Sequence, residues 1–150
     1  MSLRFASPDD ILAMERLHAQ AFDAPWSAAD IERLMRIMGG YALLAGQDAV
    51  EGFILARTMA DEAEILTLAV IPGARRRGLG RALVEAAAAE ARWRGAKALF
   101  LEVAADNPGA LTLYEAAGFS QAGLRRAYYA RPGAPAADAM VLRRSLAPPA

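Results

Sequence analysis

Arg75-Arg76-Arg77-Gly78-Leu79-Gly80-Arg81 stands between a β-forming run, Glu64 to Val70, closed by Pro72-Gly73, and an apolar-striped helical run from about Leu79 to Arg94. Strand, glycine-bearing turn and helix in that order open an α/β unit. Gly78 and Gly80 put no Cβ in the way of a ligand that approaches the backbone. The first N–H groups of the helix lack partners within it and point back at the turn. With the helix dipole they favour an anion there by up to ~2 kcal/mol per charge. Four arginines in seven positions add positive charge, so a pyrophosphate or similar polyanion is the expected guest. A solvated basic turn that only caps a helix is the competing reading. Two familiar phosphate loops do not fit. A Walker loop needs Lys-Ser or Lys-Thr after its second glycine, and a dinucleotide fingerprint needs a third glycine where Leu83 stands.

Working outward, Leu3 to Ala6 reads as a short strand, and Ser7-Pro8-Asp9-Asp10 as a helix start with Ile11, Met14, Leu17 and Ala21 on its apolar face. Asp23 to Trp26 breaks that helix. Ser27, with Asp30 three residues on, starts another, carrying Ile31, Leu34, Met35 and Met38 up to Gly39-Gly40. Tyr41–Ala45 and Val50–Thr58 are strand-like around a turn at Gln47-Asp48, and Gly95 closes the helix after the arginine loop. Lys97 to Val103 is a buried strand. Asn107-Pro108 opens a helix with Leu111 and Tyr114 that Gly118 ends. Gln121–Tyr129 and Ala139–Arg143 form a last hairpin around the Pro/Gly-bearing segment Arg131 to Ala137. The order is β-α-α-β-β-β-α-β-α-β-β: one α/β domain over residues 1–150, with a mixed, mostly antiparallel sheet and a tail at 146–150 expected to fray.

Composition narrows the chemistry. The 150 residues include no cysteine and one histidine, His18, which excludes disulfides, thiolate metal sites and a cysteine nucleophile. No Gly-x-Ser-x-Gly elbow accompanies His18. Seventeen basic and seventeen acidic residues cancel, which argues against a protein held to nucleic acid by its field. No aromatic residues interleave Arg75 to Arg77, against an arginine-rich RNA binder. The N-terminus has no charged region followed by an apolar run, and no apolar stretch is long enough to span a bilayer. A soluble cytoplasmic protein without a metal is expected. Trp26, Trp93 and His18 read as structural, with Trp93 partly exposed.

A second constellation lies one helix and one strand downstream: Asn107-Pro108-Gly109-Ala110-Leu111-Thr112-Leu113-Tyr114-Glu115-Ala116-Ala117-Gly118-Phe119. Singly, Asn107 is an N-cap, Gly118 a helix stop and Tyr114 a core residue. Jointly, they resemble the Asn-x-x-Ala-x-x-Leu-Tyr-x-x-x-Gly-Phe segment of the GNAT acetyltransferase superfamily, whose acetyl-coenzyme A loop the pattern Arg75-x-x-Gly78-x-Gly80 also resembles. Leu101-Glu102-Val103, Leu113-Tyr114-Glu115, Arg125-Arg126-Ala127-Tyr128-Tyr129 and Pro25-Trp26-Ser27 are similar to the RimI family of bacterial ribosomal-protein N-terminal acetyltransferases. The likeness covers nearly the whole chain and is strongest from Glu64 to Tyr129. It is least at Arg131–Ala137 and Arg143–Ala150.

The resemblance implies a GNAT fold and direct attack of an amine on the thioester of acetyl-coenzyme A. The pyrophosphate would rest on Arg75, Arg76, Arg77, Gly78, Leu79, Gly80 and Arg81. It also implies backbone amides on Leu68, Ala69 and Val70, on a strand that splays from its neighbour, to hold the oxyanion and the pantetheine arm, with Asn107 on the arm's other side. Glu102 is the candidate base. It interrupts an apolar run near a strand end and shares a face with Phe100, and apolar neighbours would raise its pKa toward neutrality. The competing reading is a glutamate at the solvent edge of the sheet, or one paired with an arginine. Tyr114 is the candidate acid, since a phenol with a reference pKa of ~10 carries its proton at pH 7. An α-amine has a reference pKa of ~8 and lysine ~10.4, so deprotonating lysine costs about 3 kcal/mol more and a protein N-terminus suits one glutamate better. Glu62, Glu64, Tyr128 and Tyr129 are candidates for the walls of a peptide groove, with ordinary surface packing as the alternative. The implied partner is a peptide or protein N-terminus, a ribosomal protein within the RimI likeness. A small amine, a lysine side chain, or a non-catalytic acyl-coenzyme A sensor are the other readings. Retention of both Glu102 and Tyr114 speaks against the sensor.

Overall fold

Alternating and helical apolar patterns are both satisfied by one sheet with helices on its two faces. A computed structural model describes residues 2–146. The strands are β1 (Leu3–Phe5), β2 (Gly40–Ala45), β3 (Gly52–Met59), β4 (Glu62–Val70), β5 (Ala98–Ala104), β6 (Ser120–Tyr129) and β7 (Ala137–Ser145). The helices are α1 (Ile11–Ala21), α2 (Ala28–Arg36), α3 (Leu79–Trp93) and α4 (Pro108–Ala116). The sheet order is β1-β2-β3-β4-β5-β7-β6, antiparallel throughout except for the β4–β5 pair.

Strand alternation sends successive residues to opposite faces. Leu43 and Ile54 therefore join Leu83, Val84 and Leu99 in the core under α3 and α4. Their neighbours Leu44, Phe53 and Leu55 join Ile11, Met14, Leu17 and Ile31 in the core under α1 and α2. Ala87, Ala88 and Ala91 are buried, so the alanines of α3 serve close approach to the sheet as well as helix propensity.

Boundaries differ from expectation in a few places. The turn that begins at Pro8 is a 3-10 segment, Pro8–Asp10, with the Ser7 N–H donating to Asp10 at 2.8 Å, and it runs on into α1. Met38 lies beyond α2 and is 77% exposed, because the chain has already turned toward β2. Leu146, placed in the fraying tail, is buried; its N–H donates to Lys97 O at 2.8 Å and its carbonyl accepts from Arg92 at 2.9 Å. Residues 147–150 of that tail lie outside the described residues.

The feature that positions the site is between β4 and β5. These strands are paired only where Glu62–Glu64 meets Ala98–Phe100. β4 continues to Val70 along β3, and β5 continues to Ala104 along β7. In the β3 register Leu55 faces Thr67 and Ala56 faces Ile65, so Leu66 is the extra residue of a bulge. A bulge bends its strand and increases the twist. The second half of β4 leaves β5, and the sheet opens like a V.

Candidate active site

The arginine loop sits at the end of β4, past a 3-10 turn at Pro72–Ala74. Gly78 is the N-cap of α3 at φ +79°, and no side chain caps the helix. Arg76 also has a left-handed backbone, φ +65°. The first-turn N–H groups of α3 are thus left for an anion. Gly78 faces open space, so its role is conformational; a Cβ on Gly80 would meet Leu113 at 3.4 Å and Leu68 at 3.9 Å. The loop, β4 and α4 therefore converge at Gly80.

The four arginines are not equally free. Arg77 donates to Glu51 and Arg81 pairs with Glu85 at 3.3 Å, while Arg75 donates to Val70 O at 3.3 Å. The excess positive charge is smaller than four side chains suggest, and the helix N-terminus carries more of the attraction. Glu51, at the β2–β3 turn, is a partner that spacing along the chain does not reveal.

Leu68, Ala69 and Val70 lie on the part of β4 that has left β5, paired on their other side with Ile54, Phe53 and Gly52. Asn107 caps α4: its side-chain oxygen accepts from the Ala110 N–H at 3.1 Å. That oxygen has a structural use already. Gly118 ends α4 at φ +89°.

On β5, Leu99, Leu101 and Val103 point into the α3 core, and Phe100 and Glu102 point to the other face, as alternation requires. Glu102 does not sit among apolar groups alone. Arg125 of β6 reaches it at 2.8 Å, the carboxylate being 23% exposed. The arginine-paired alternative is therefore realised, and the expected apolar setting is corrected by a neighbour two strands away. Arg57, Glu62, Glu64, Phe100, Glu102 and Arg125 line an open cleft with about 520 Å³ of room. Desolvation in the cleft and then the charge of Glu102 raise the pKa of Glu64, although that residue remains solvent-accessible; Arg57 and Arg125 oppose the shift. Burial and the same Glu102 charge raise the Tyr129 phenol. Glu64, Glu102, Arg125 and Tyr129 are thus one electrostatic neighbourhood. Arg57 was missed, though a charge inside Phe53-Ile54-Leu55-Ala56-Arg57 was its signal.

Tyr114 is 7% exposed, its ring edge-on to Phe119 at 5.6 Å. Burial pushes its phenol pKa up. Loop 131–137 is tied back to the start of α4, where Arg131 donates to both oxygens of Asp106 at 2.8 and 2.9 Å and lies over Tyr129, 5.6 Å from the ring centre. His18 is structural as expected. It is buried, accepting from the Trp26 N–H through Nδ1 and donating from Nε2 to Thr67 Oγ1, both at 3.1 Å. Trp93 is 83% exposed. No helix among the described residues is long and apolar enough to cross a membrane.

Comparison with known proteins places this sequence and fold in one family. The model of the acetyltransferase (GNAT) family matches residues 11–119. The chain is 35% identical over 133 residues to the [ribosomal protein bS18]-alanine N-acetyltransferase of Salmonella typhimurium, covering 85% of this chain and 86% of that one. It is 36% identical over 140 residues to the N-alpha-acetyltransferase RimI of Mycobacterium tuberculosis, covering 89% and 85%. The crystal structure of the ribosomal-protein-S18-alanine N-acetyltransferase from Escherichia coli superposes with a TM-score of 0.91 at 29% identity, over 99% of this chain and 96% of that one. The chain belongs to the GNAT family and is an N-acetyltransferase that uses acetyl-coenzyme A as its co-substrate.

Proposed function

We propose that this enzyme transfers the acetyl group of acetyl-coenzyme A directly to the N-terminal α-amino group of a ribosomal protein in the cytoplasm, the alanine of bS18 being the acceptor named for its relatives. The first-turn amides of α3, with the loop Arg75–Arg81, hold the pyrophosphate. Backbone amides of Leu68–Val70 hold the pantetheine arm and the developing oxyanion, with Asn107 on the arm's far side. An oxyanion donor of this kind is worth about 3 kcal/mol. Glu102 accepts the proton that the acceptor nitrogen loses as its bond to the acyl carbon forms. Tyr114 gives a proton to the sulfur as the carbon–sulfur bond breaks, and the two side chains return to their starting forms through solvent.

The observation that carries this reading is the parting of β4 from β5 beyond Glu64 and Phe100. It leaves one edge of Leu68–Val70 without a strand partner, with α3's uncapped N-terminus at the end of that edge and Glu102 on the strand opposite. The test is mass spectrometry of peptides incubated with enzyme and acetyl-coenzyme A. A peptide with the mature bS18 N-terminus gains one acetyl group on its α-nitrogen. Acetyl found only on lysine side chains or small amines refutes the acceptor. Glu102→Gln lowers kcat by a factor of about 10² to 10⁴; full turnover across pH removes Glu102 as the base.

A further inference from the structure

We infer that Arg125 is a built-in competitor for the acceptor's cationic nitrogen, so that every amine must open the Arg125–Glu102 pair to reach the base. The inference rests on Glu102 being the base. Arg125 belongs to the outermost strand, β6, and β7 lies between it and β5. Its register partner is Ala139, while Glu102 faces Val141 on β7. The guanidinium therefore stretches over β7 to place Nε 2.8 Å from Glu102 Oε1.

The reach is set up by a bulge in β6 that follows Arg125. Arg125 pairs with Ala139 and Tyr129 with Ala137, so Arg126, Ala127 and Tyr128 oppose Asp138 alone. Ala127 takes φ +51°, and its N–H donates to Asp138 Oδ1 at 2.8 Å. Bulges of this kind re-aim side chains beside active sites. Here the bulge brings the Tyr128 ring under the same guanidinium, 5.3 Å from its centre. Arg125 thus has two favourable contacts at once, one with the carboxylate and one with a ring face.

Chemistry makes the pair an obstacle. An acceptor amine near neutrality arrives largely as an ammonium, and it needs the oxygen that Arg125 occupies. The Arg125 side chain is 56% exposed, and a pair so open to water is weakly held. An ammonium can displace it, and Arg125 keeps the Tyr128 face when it does. Opening the pair costs the same for any amine that takes the Glu102 oxygen, whatever contacts it makes elsewhere. Glu62, Glu64 and Glu102 line the cleft with Arg57 and Arg125, and Arg143 lies over the Phe100 ring at its wall, 5.9 Å from the ring centre, so Arg125 is one of several cations around the carboxylates.

The test compares a bS18-type hexapeptide amide with alaninamide as acceptors, for the wild type, Arg125→Ala, Arg125→Gln and Arg125→Lys. Removing the guanidinium lowers KM for alaninamide about fivefold, the factor an exposed ion pair supports. KM for the peptide falls by a similar factor, and kcat changes little for either. Added guanidinium ion raises KM of Arg125→Ala again, competitively with the amine, and Arg125→Lys stays close to the wild type. A rise in KM, an unchanged KM, or a fall in kcat with KM unchanged in both neutral variants overturns the inference. Arg125→Gln serves where Arg125→Ala does not fold. Glu102→Gln separates the two ideas: if it keeps turnover the base assignment fails, whereas lost turnover with no KM response at Arg125 sinks only the present inference.

Discussion

Tyr114 shows how burial selects the role of a single side chain. Its ring is enclosed in the α3 core and against Phe119, and the low dielectric there disfavours the phenolate. The raised pKa keeps the proton on the oxygen, which excludes Tyr114 as a base, while the same burial opposes the phenolate that donation to sulfur would leave. Tyr114→Phe fills the same space, so stability should change little. Its kcat should fall by about 10² or more, the usual contribution of a positioned acid, with acetyl-coenzyme A affinity preserved. Steady-state kinetics beside calorimetric titration check both halves; an undiminished kcat ends the assignment. Glu102 teaches the complementary lesson. Its immediate sequence neighbours are apolar, but its electrostatic partner is Arg125, which reaches it from two strands away.

At the scale of elements, the arginine loop matters less for its side chains than for how it leaves the mouth of α3. Arg77 and Arg81 are tied to Glu51 and Glu85. Gly78 at φ +79° has no neighbour for a Cβ to strike, so Gly78→Ala tests backbone conformation alone. It should cost about 1–2 kcal/mol of stability, the usual penalty for an L-residue in the left-handed region. The distorted turn should also raise KM for acetyl-coenzyme A, while kcat at saturation is largely retained. Thermal melts and a co-substrate titration read this, and an unchanged KM would mean the turn does not hold the pyrophosphate. Gly80 differs, since its Cβ would face Leu113 and Leu68 where β4 and α4 converge. Gly80→Val should impair co-substrate binding by filling that gap rather than by straining the backbone.

For the molecule as a whole, His18 joins parts that carry different halves of the site. It links α1, the Trp26 segment and β4 at Thr67, one residue past the bulge that opens the sheet. The ring is stacked on Phe22 at 4.3 Å and Trp26 at 5.1 Å. Accepting the Trp26 N–H requires Nδ1 without a proton, so the neutral form with Nε2–H is the one that fits. Burial lowers the His18 pKa from 6.5. Because the unfolded chain then binds the proton more tightly, this contribution to stability is complete above pH 6.5 and is lost as pH falls through the folded value, at ~1.36 kcal/mol per unit of depression. Melting temperature should therefore drop on acidification below pH 6.5, and less so in His18→Gln. Parallel slopes for the two proteins would show that other groups carry the acid sensitivity.

Element order, the strand–turn–helix around Gly78, the Asn107 cap, the face of β5 that carries Glu102 and the structural standing of His18 were legible in the sequence. All are local: they follow from apolar period, glycine and proline placement, and capping chemistry within a few residues. The bulges in β4 and β6, the parting of β4 from β5 and the Arg125–Glu102 pair were decided only by tertiary structure. Strand order puts β7, the last strand, between β5 and β6, so two side chains 23 positions apart meet across a strand that follows both in the chain. Register and twist depend on how the whole sheet packs on its helices, and no window of neighbouring residues contains that information.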